Sequence, residues 1–421
     1  MISILPAQRH LYKIPWTAQC QMIKTTNMEN TRPNPFAALA PPSVALQTAA
    51  HAIDDMRRGW AIGIDMVNAA HTMVAVPTET VTREQLMALR HLGPVYLALT
   101  RERAAVLKCS TAVEPAVLIT VTDLQTNGHL VAIADPTCDL SHPLQGPFHA
   151  TLANDIQITS DGPAAILSLL KIGHLLPSAV MALVPKNQLP AELQVQMTTP
   201  GAVNSLLERH SYGIRPVIET IVQLEGAEDC RVVVFRPDDG SEEHIALVIG
   251  SPDVTKPTLV RLHSSCLTGD IMGSLRCDCG SQLKGAIQTM AEHSGVILYL
   301  QQEGRGIGFL NKMRAYTLQH QGFDTVDANE RLGFVDDERN FEPAREMLRA
   351  LGIRQVRLLT NNPHKIGALD AHDIKVIERI PHRFPSNPHN AHYLATKAKR
   401  SGHYLPIDLK QRADNHKDCD H

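Results

Sequence analysis
The chain has 421 residues, 43% of them hydrophobic, enough for two domains with separate cores. A net charge of −3 and an aromatic content of 4% exclude a general nucleic-acid binder, which needs basic surface for phosphates and rings for base stacking. No apolar run is long enough to cross a bilayer and residues 1–40 carry no apolar signal core, so the expectation is a cytoplasmic protein without a membrane partner.

Residues 1–42 mix Pro, Asn, Thr and Gln without a period and are expected to be a disordered leader, with Met22 and Met28 as alternative starts. Leu46, Ala49, Ala50, Ile53 and Met56 recur at helical spacing, and Gly59 ends that helix. Short apolar runs at Trp60–Ile64, Met73–Val76, Val95–Leu99, Val117–Val121, Leu130–Ile133 and Ala179–Val184 read as strands. Thr82–Leu92 and Ala164–Leu170 read as helices, and Thr100 caps another beginning at Arg101. The Pro-, Gln- and Thr-rich stretch Pro185–Pro200 reads as the interdomain connection, followed by a helix near Ala202–His210. Beyond it Arg231–Phe235, His244–Ile249 and Thr258–Leu262 form an antiparallel meander with turns at Asp238-Asp239-Gly240 and Ser251-Pro252-Asp253. Helices at Gln282–His293, Ile307–Gln321 and Pro343–Leu351 then alternate with strands at Gly295–Leu300 and Val356–Leu359. The expected class is α+β in two domains: an α/β module over 43–205, then over 206–408 an antiparallel barrel-like sheet joined to an α/β layer, with a polar tail over 409–421.

Of eight cysteines, Cys266, Cys277 and Cys279 fall within fourteen consecutive residues, in RLHSSCLTGDIMGSLRCDCGSQL. A C-x10-C-x-C pattern in a reducing compartment points to a metal and not to a disulfide framework. Zinc favours thiolates in tetrahedral geometry, and three protein ligands leave a fourth position for a water whose pKa the metal lowers toward neutrality. His263 is a conceivable fourth ligand but lies on the strand side, out of step with the loop; the alternative is three thiols without a metal.

Three further loops carry polar chemistry. In QQEGRGIGFLNKMRAY, Gly304, Gly306 and Gly308 permit close approach of a ligand to backbone at a helix N-terminus, and Arg305 can fork onto a phosphate. Glu303 could accept from a base amine or help hold magnesium; a plain tight turn is the alternative. FVDDERNF sets Asp337 beside Arg339, a carboxylate and guanidinium able to move protons near a phosphate, or simply an acidic helix N-terminus. LLTNNPHK places Thr360, Asn361, Asn362 and Lys365 at the carboxyl end of a strand, where α/β sheets bind ligands.

Taken in order, RLHSSCLTGD, GSLRCDCG, QEGRGIG, NKMRAY, DTVDAN, LGFVDDER, RLLTNNPHK and NPHNAHYLATKAKRSGH resemble GTP cyclohydrolase II from about Val217 to Leu405. The resemblance implies zinc held by Cys266, Cys277 and Cys279, and magnesium on the triphosphate. It implies GTP contacts from Arg261, Leu262, His263, Ser264, Ser265, Gln282, Glu303, Gly304, Arg305, Thr325, Thr360 and Lys365. Asp337 is implied as proton acceptor, Arg339 as nucleophile at the α-phosphate and Tyr316 as the active-site tyrosine. It further implies a homodimer and hydrolysis of GTP to a diaminopyrimidinone ribosyl phosphate, formate and pyrophosphate. Ser265 stands where many members carry Glu.

AIDDMRRGWAIGID, LALTRERAAVL and LLKIGHLLP in the first half resemble a degenerate 3,4-dihydroxy-2-butanone 4-phosphate synthase. That chemistry needs an acid-rich loop for magnesium and proton abstraction, and Ile64–His71 keeps Asp65 alone. The first half is therefore expected to lack synthase activity and to serve as a structural or dimerising remnant, the alternative being a regulatory ligand site, with His174 a structural histidine. Two rivals stand beside the GTP reading: a hydrolase opening another nucleotide ring, such as that of UMP, and a catalytically silent GTP-binding regulator.

Overall fold
The computed structural model describes residues 43–66, 69–109, 114–143, 146–151, 156, 159–209, 213–370, 373–390, 400, 402 and 404. The expected leader 1–42 and tail 409–421 lie outside these.

The first half begins with α1 (Val44–Arg57), whose N-cap Ser43 Oγ accepts from the Leu46 amide at 3.1 Å. It continues with β1 (Ile62–Asp65), β2 (His71–Pro77), α2 (Arg83–Leu92), β3 (Val95–Thr100), α3 (Arg101–Val106), β4 (Ala116–Thr120), α4 (Asn127–Ala134), β5 (Ala150–Thr151), α5 (Asp161–Ile172), β6 (Ser178–Pro185), β7 (Gln196–Thr198) and α6 (Pro200–Arg209). Its sheet runs β5-β4-β3-β6-β2-β1-β7. Alternation along β6 divides two cores: Ala179, Met181 and Leu183 pack on the side of α1, α5 and α6, while Val180, Ala182 and Val184 face the other layer.

Two expectations need correction here. Leu130–Ile133 is helical, not a strand: Thr126 and His129 form a reciprocal capping box that starts α4, and a four-residue apolar run has no period to reveal this. Pro185–Pro200 is more than a connection, because β7 adds to the first sheet in parallel with β1. Helix α6 packs Ala202, Val203 and Leu206 into the first core, so a division at residue 205 falls inside it.

The second half comprises β8 (Ile214–Ile221), β9 (Cys230–Pro237), β10 (His244–Ile249), β11 (Thr258–Ser264), α7 (Cys279–His293), β12 (Gly295–Leu300), α8 (Gly308–His320), α9 (Thr325–Arg331), α10 (Glu342–Ala350), β13 (Gln355–Leu359), α11 (Pro363–Asp370) and β14 (Lys375–Ile380). The α+β class holds. The barrel-like sheet and the α/β layer are one continuous open sheet, β14-β13-β11-β12-β10-β9-β8, and no closed barrel occurs among the described residues. Strands β8, β9, β10 and β12 pair antiparallel, whereas β12, β11, β13 and β14 pair in parallel. Strand β11, expected as the third strand of an antiparallel meander, thus pairs in parallel instead, and the four parallel strands end side by side so that the loops leaving them share one edge.

The halves meet along α8 and α9. Leu176 of the first half packs with Ile307, Ala315, Leu318, Ala328, Leu332 and Phe334 of the second in one buried apolar cluster. Asp139 joins them electrostatically: it takes the buried Arg103 at 2.7 Å and Arg331 at 3.4 Å. No described helix is long and apolar enough to cross a membrane.

Candidate active site
The site lies at the carboxyl ends of β11, β12 and β13. From β11 the chain passes through Ser264 and Ser265 to Cys266 and a π-helical turn, Leu267–Ile271, before returning through Cys277 to Cys279 at the start of α7. The sulfurs of Cys266, Cys277 and Cys279 lie within 4.8 Å of one another, with Cys266 and Cys277 at 3.8 Å. Gly269 makes the triangle possible: a Cβ there would lie 2.8 Å from the Cys277 sulfur and 3.1 Å from that of Cys266. The Cys266 thiol sits far below its ordinary range because Cys277, Cys279 and Lys312 donate toward it, and the same crowding pushes Cys277 and Cys279 up. Three thiols gathered this closely by one loop suit a soft cation, which displaces their protons. His263 is not part of it. Its ring stacks on Tyr299 and its Nε2 lies 3.2 Å from Asp270, while burial pushes its pKa down.

Lys312, on α8 one turn before Tyr316, braces this centre. Its buried ammonium donates to Cys266 Sγ at 3.1 Å, Thr268 Oγ1 at 2.9 Å and Glu303 Oε1 at 2.7 Å. Burial opposes its charge, but Glu303 and the Cys266 thiolate outweigh that and keep it protonated. Glu303 Oε2 also accepts from the Leu267 amide at 2.6 Å, so this carboxylate ties the glycine loop to the cysteine loop through one oxygen and to Lys312 of α8 through the other.

Arg339 forks onto Asp337, with Nε to Oδ1 at 2.7 Å and Nη2 to Oδ2 at 2.5 Å, and its Nη1 reaches Ser264 Oγ at 3.4 Å. Burial raises the Asp337 pKa, but the Arg339 hydrogen bonds and charge overcome this and hold it below the ordinary carboxylate range. Arg305 pairs with Asp336, and Lys365 donates to the Leu262 carbonyl at 2.7 Å. Buried Arg261 bonds the Leu359 carbonyl and Gln282, and burial lowers its pKa to about 10. Arg276 lies 4.9 Å over the Tyr316 ring.

One cleft gathers Arg261, His263, Ser264, Ser265, the three cysteines, Gln282, Glu303, Gly304, Arg305, Tyr316, Thr325, Arg339, Thr360 and Lys365. Leu262 does not join them: its side chain is in the core, since it alternates with its neighbours on β11. Asp337 stands behind Arg339 and reaches the cleft through it. Reading the residues alone missed Lys312, Asp270 and Tyr299; the i, i+4 spacing of Lys312 and Tyr316 was the available signal.

Gly306 adopts φ +92°, and a Cβ would meet the Glu338 carbonyl carbon and oxygen at 2.9 Å. Gly306→Ala is therefore expected to strain the loop by about 1–3 kcal/mol and to displace the backbone beside Arg339. A fall in kcat/KM of up to about 10²-fold, with unchanged far-UV circular dichroism, is the expected reading; unchanged kcat/KM would refute it.

With the geometry in place, comparison supplies the family. A family model described as GTP cyclohydrolase II matches residues 215–381. The chain is 42% identical over 379 residues to GTP cyclohydrolase-2 of Azospirillum brasilense, covering 88% of this chain and 97% of that one. It is 55% identical over 168 residues to riboflavin biosynthesis protein RibBA of Bacillus cereus (strain AH187), covering 40% of this chain and 42% of that one. Against the solved structure of RibBX, a two-domain 3,4-dihydroxy-2-butanone 4-phosphate synthase from A. baumannii, identity is 15% and the TM-score 0.29, over 80% of this chain and 99% of that one. The fold and site are those of a hydrolytic enzyme. The chain belongs to the GTP cyclohydrolase II family.

Proposed function
We propose that this enzyme hydrolyses GTP to 2,5-diamino-6-ribosylamino-4(3H)-pyrimidinone 5′-phosphate, formate and pyrophosphate, the first step of riboflavin biosynthesis. The observation that carries the reading is the convergence of the Cys266–Cys277–Cys279 triangle with Arg339 and Lys365 on one cleft at the parallel strand ends, with Asp337 bound behind Arg339. The three sulfurs and the Gly269 gap fit zinc, which when bound would activate water for attack on the purine C8. Magnesium would accompany the triphosphate.

The chain's own groups do the rest. Lys312 and Glu303 fix the cysteine loop against the glycine loop, so the reacting carbon is held at a set distance from the sulfurs. Arg339 stabilises charge developing at the α-phosphate as pyrophosphate leaves. A guanidinium bound twice to Asp337 is a protonated one, which favours this role over that of nucleophile. Asp337, held ionised, takes up the proton released when water attacks. Tyr316, beside Arg276 and Lys312, faces the same space.

The test incubates the zinc- and magnesium-loaded protein with GTP and, separately, with UMP, and assays formate and pyrophosphate. Formate and pyrophosphate from GTP alone support the proposal. Ring opening of UMP without formate from GTP favours the other nucleotide, and no turnover of either favours the silent binder. We further propose a cytoplasmic homodimer; the described cysteines are all free thiols. The first half we propose to be without synthase activity, since the one acid that Ile64–His71 keeps, Asp65, is already paired with Lys186 at 2.6 Å. Ribulose 5-phosphate is expected to yield no dihydroxybutanone phosphate, and any product overturns that reading.

A further inference from the structure
We propose that the first half of the chain is a positioning element of the nucleotide site, acting through Lys171. The inference rests on the GTP reading only for its kinetic readout.

Lys171 lies in the last turn of α5, and its Nζ reaches Glu338 Oε1 at 2.6 Å. Glu338 is the residue between Asp337 and Arg339. The same Oε1 accepts from the Val335 amide at 3.1 Å, and the Glu338 amide donates to the Arg305 carbonyl at 3.0 Å. One carboxylate therefore closes the 335–338 turn while its peptide pins that turn to the glycine loop. Lys171 holds the carboxylate from outside, across 167 residues of sequence.

Helix α8 is held from the same side. Asn311 Nδ2 donates to the His174 carbonyl at 3.0 Å and to the Ile307 carbonyl at 3.0 Å. Arg314 reaches Glu79 at 3.0 Å and Asp135 at 3.2 Å, and its Nη1 donates to Asn311 Oδ1 at 2.8 Å. Glu79 in turn accepts from the Leu176 amide at 2.9 Å. Asn311 and Arg314 fasten one face of α8 to the first half, and Lys312 and Tyr316 present the neighbouring face to the cleft. Apart from the Asp139–Arg331 pair and the Gln321 contact to the Thr137 carbonyl, these polar contacts fall on the helix and the turn that carry the reacting groups, so Lys171 fixes where Asp337 and Arg339 stand.

The test uses the full chain with Lys171→Met, Lys171→Arg, Glu338→Gln and the Lys171→Met/Glu338→Gln double variant. Gln at 338 retains an acceptor for the Val335 amide and removes the charge. Expected for Lys171→Met is a kcat for GTP lowered about tenfold with KM nearly unchanged, because the catalytic turn loses its set position while most binding contacts remain. Lys171→Arg is expected to restore most of the rate, and the double variant to lose no more than either single one. Amide hydrogen exchange at Val335 and Glu338 is expected to quicken in Lys171→Met without a lowered melting temperature. Exchange and kcat both equal to the parent overturn the inference, as does a loss explained by a lowered melting temperature. Should the parent give no formate from GTP, the functional reading fails by itself, and the exchange rates still decide whether Lys171 holds the turn.

Discussion
Cys277→Ser is expected to lower formate release from GTP by far more than 10²-fold, along with the zinc content of the purified protein. Changing a residue that merely supports a metal ligand costs about 10–100-fold in metal affinity, so removing a ligand costs more. Serine keeps the shape of the side chain but offers a hard oxygen whose proton is far harder to remove. It also leaves Cys266 without the first of the donors that pull its pKa down. Metal binding and folding are coupled, so a chelator should lower the melting temperature of the parent and leave that of the variant nearly unmoved. A variant that releases formate at the parent rate after chelation would end the metal assignment.

The second large effect is expected from Asp337→Asn. A positioned general base contributes about 10²–10⁴-fold, and kcat should fall by that order with little change in KM. Asparagine cannot take up a proton and gives Arg339 a neutral partner in place of a bidentate carboxylate. The pH dependence follows from the lowered folded-state pKa of Asp337. Its pairing with Arg339 contributes stability above the unfolded pKa of 3.8 and loses it as the pH falls through the lower folded value. The parent rate should therefore show no decline attributable to this group on descending from pH 7 to about pH 5, while the variant loses the acid-dependent part of its stability curve. A variant with parent kcat would assign proton uptake elsewhere.

How far the sequence revealed this molecule depended on the kind of signal. Helices with a repeating apolar face and a clear stop, such as Val44–Arg57 before Gly59, were legible because period and terminator agree. Strand β8 was not: nearly all of its residues are exposed along a sheet edge, so no apolar alternation marks it. Strands β9 and β10 were found, but β11 was placed in their antiparallel meander, whereas it pairs in parallel with β12 and β13; the neighbour of β10 is β12, about fifty positions away, and nothing local reveals that pairing. At the site, spacing alone identified the three cysteines, since thiols brought together by one loop are close in sequence. Lys312 escaped because a lysine on a helix is ordinarily solvated, and only the fold shows it buried beneath Cys266. Glu303 and Arg305 were recognised as site residues, but nothing local shows that Leu267 and Lys312, or Asp336, engage them.

The apolar cluster along α8 has a consequence for handling the protein. Ile307 and Leu332 are 1% exposed, Phe334 is 1% and Leu318 is 0%, and Leu176 of the first half is among the residues that cover them. Cutting the chain after α6 to isolate the cyclohydrolase half would open this seam and leave Arg314 and Arg331 without their acidic partners Glu79, Asp135 and Asp139. A contiguous greasy strip bordered by unmatched positive charge favours self-association. Expression trials of the shortened chain should therefore meet insolubility as the first obstacle, and polar replacements at Leu176-facing positions would be the place to begin making it soluble.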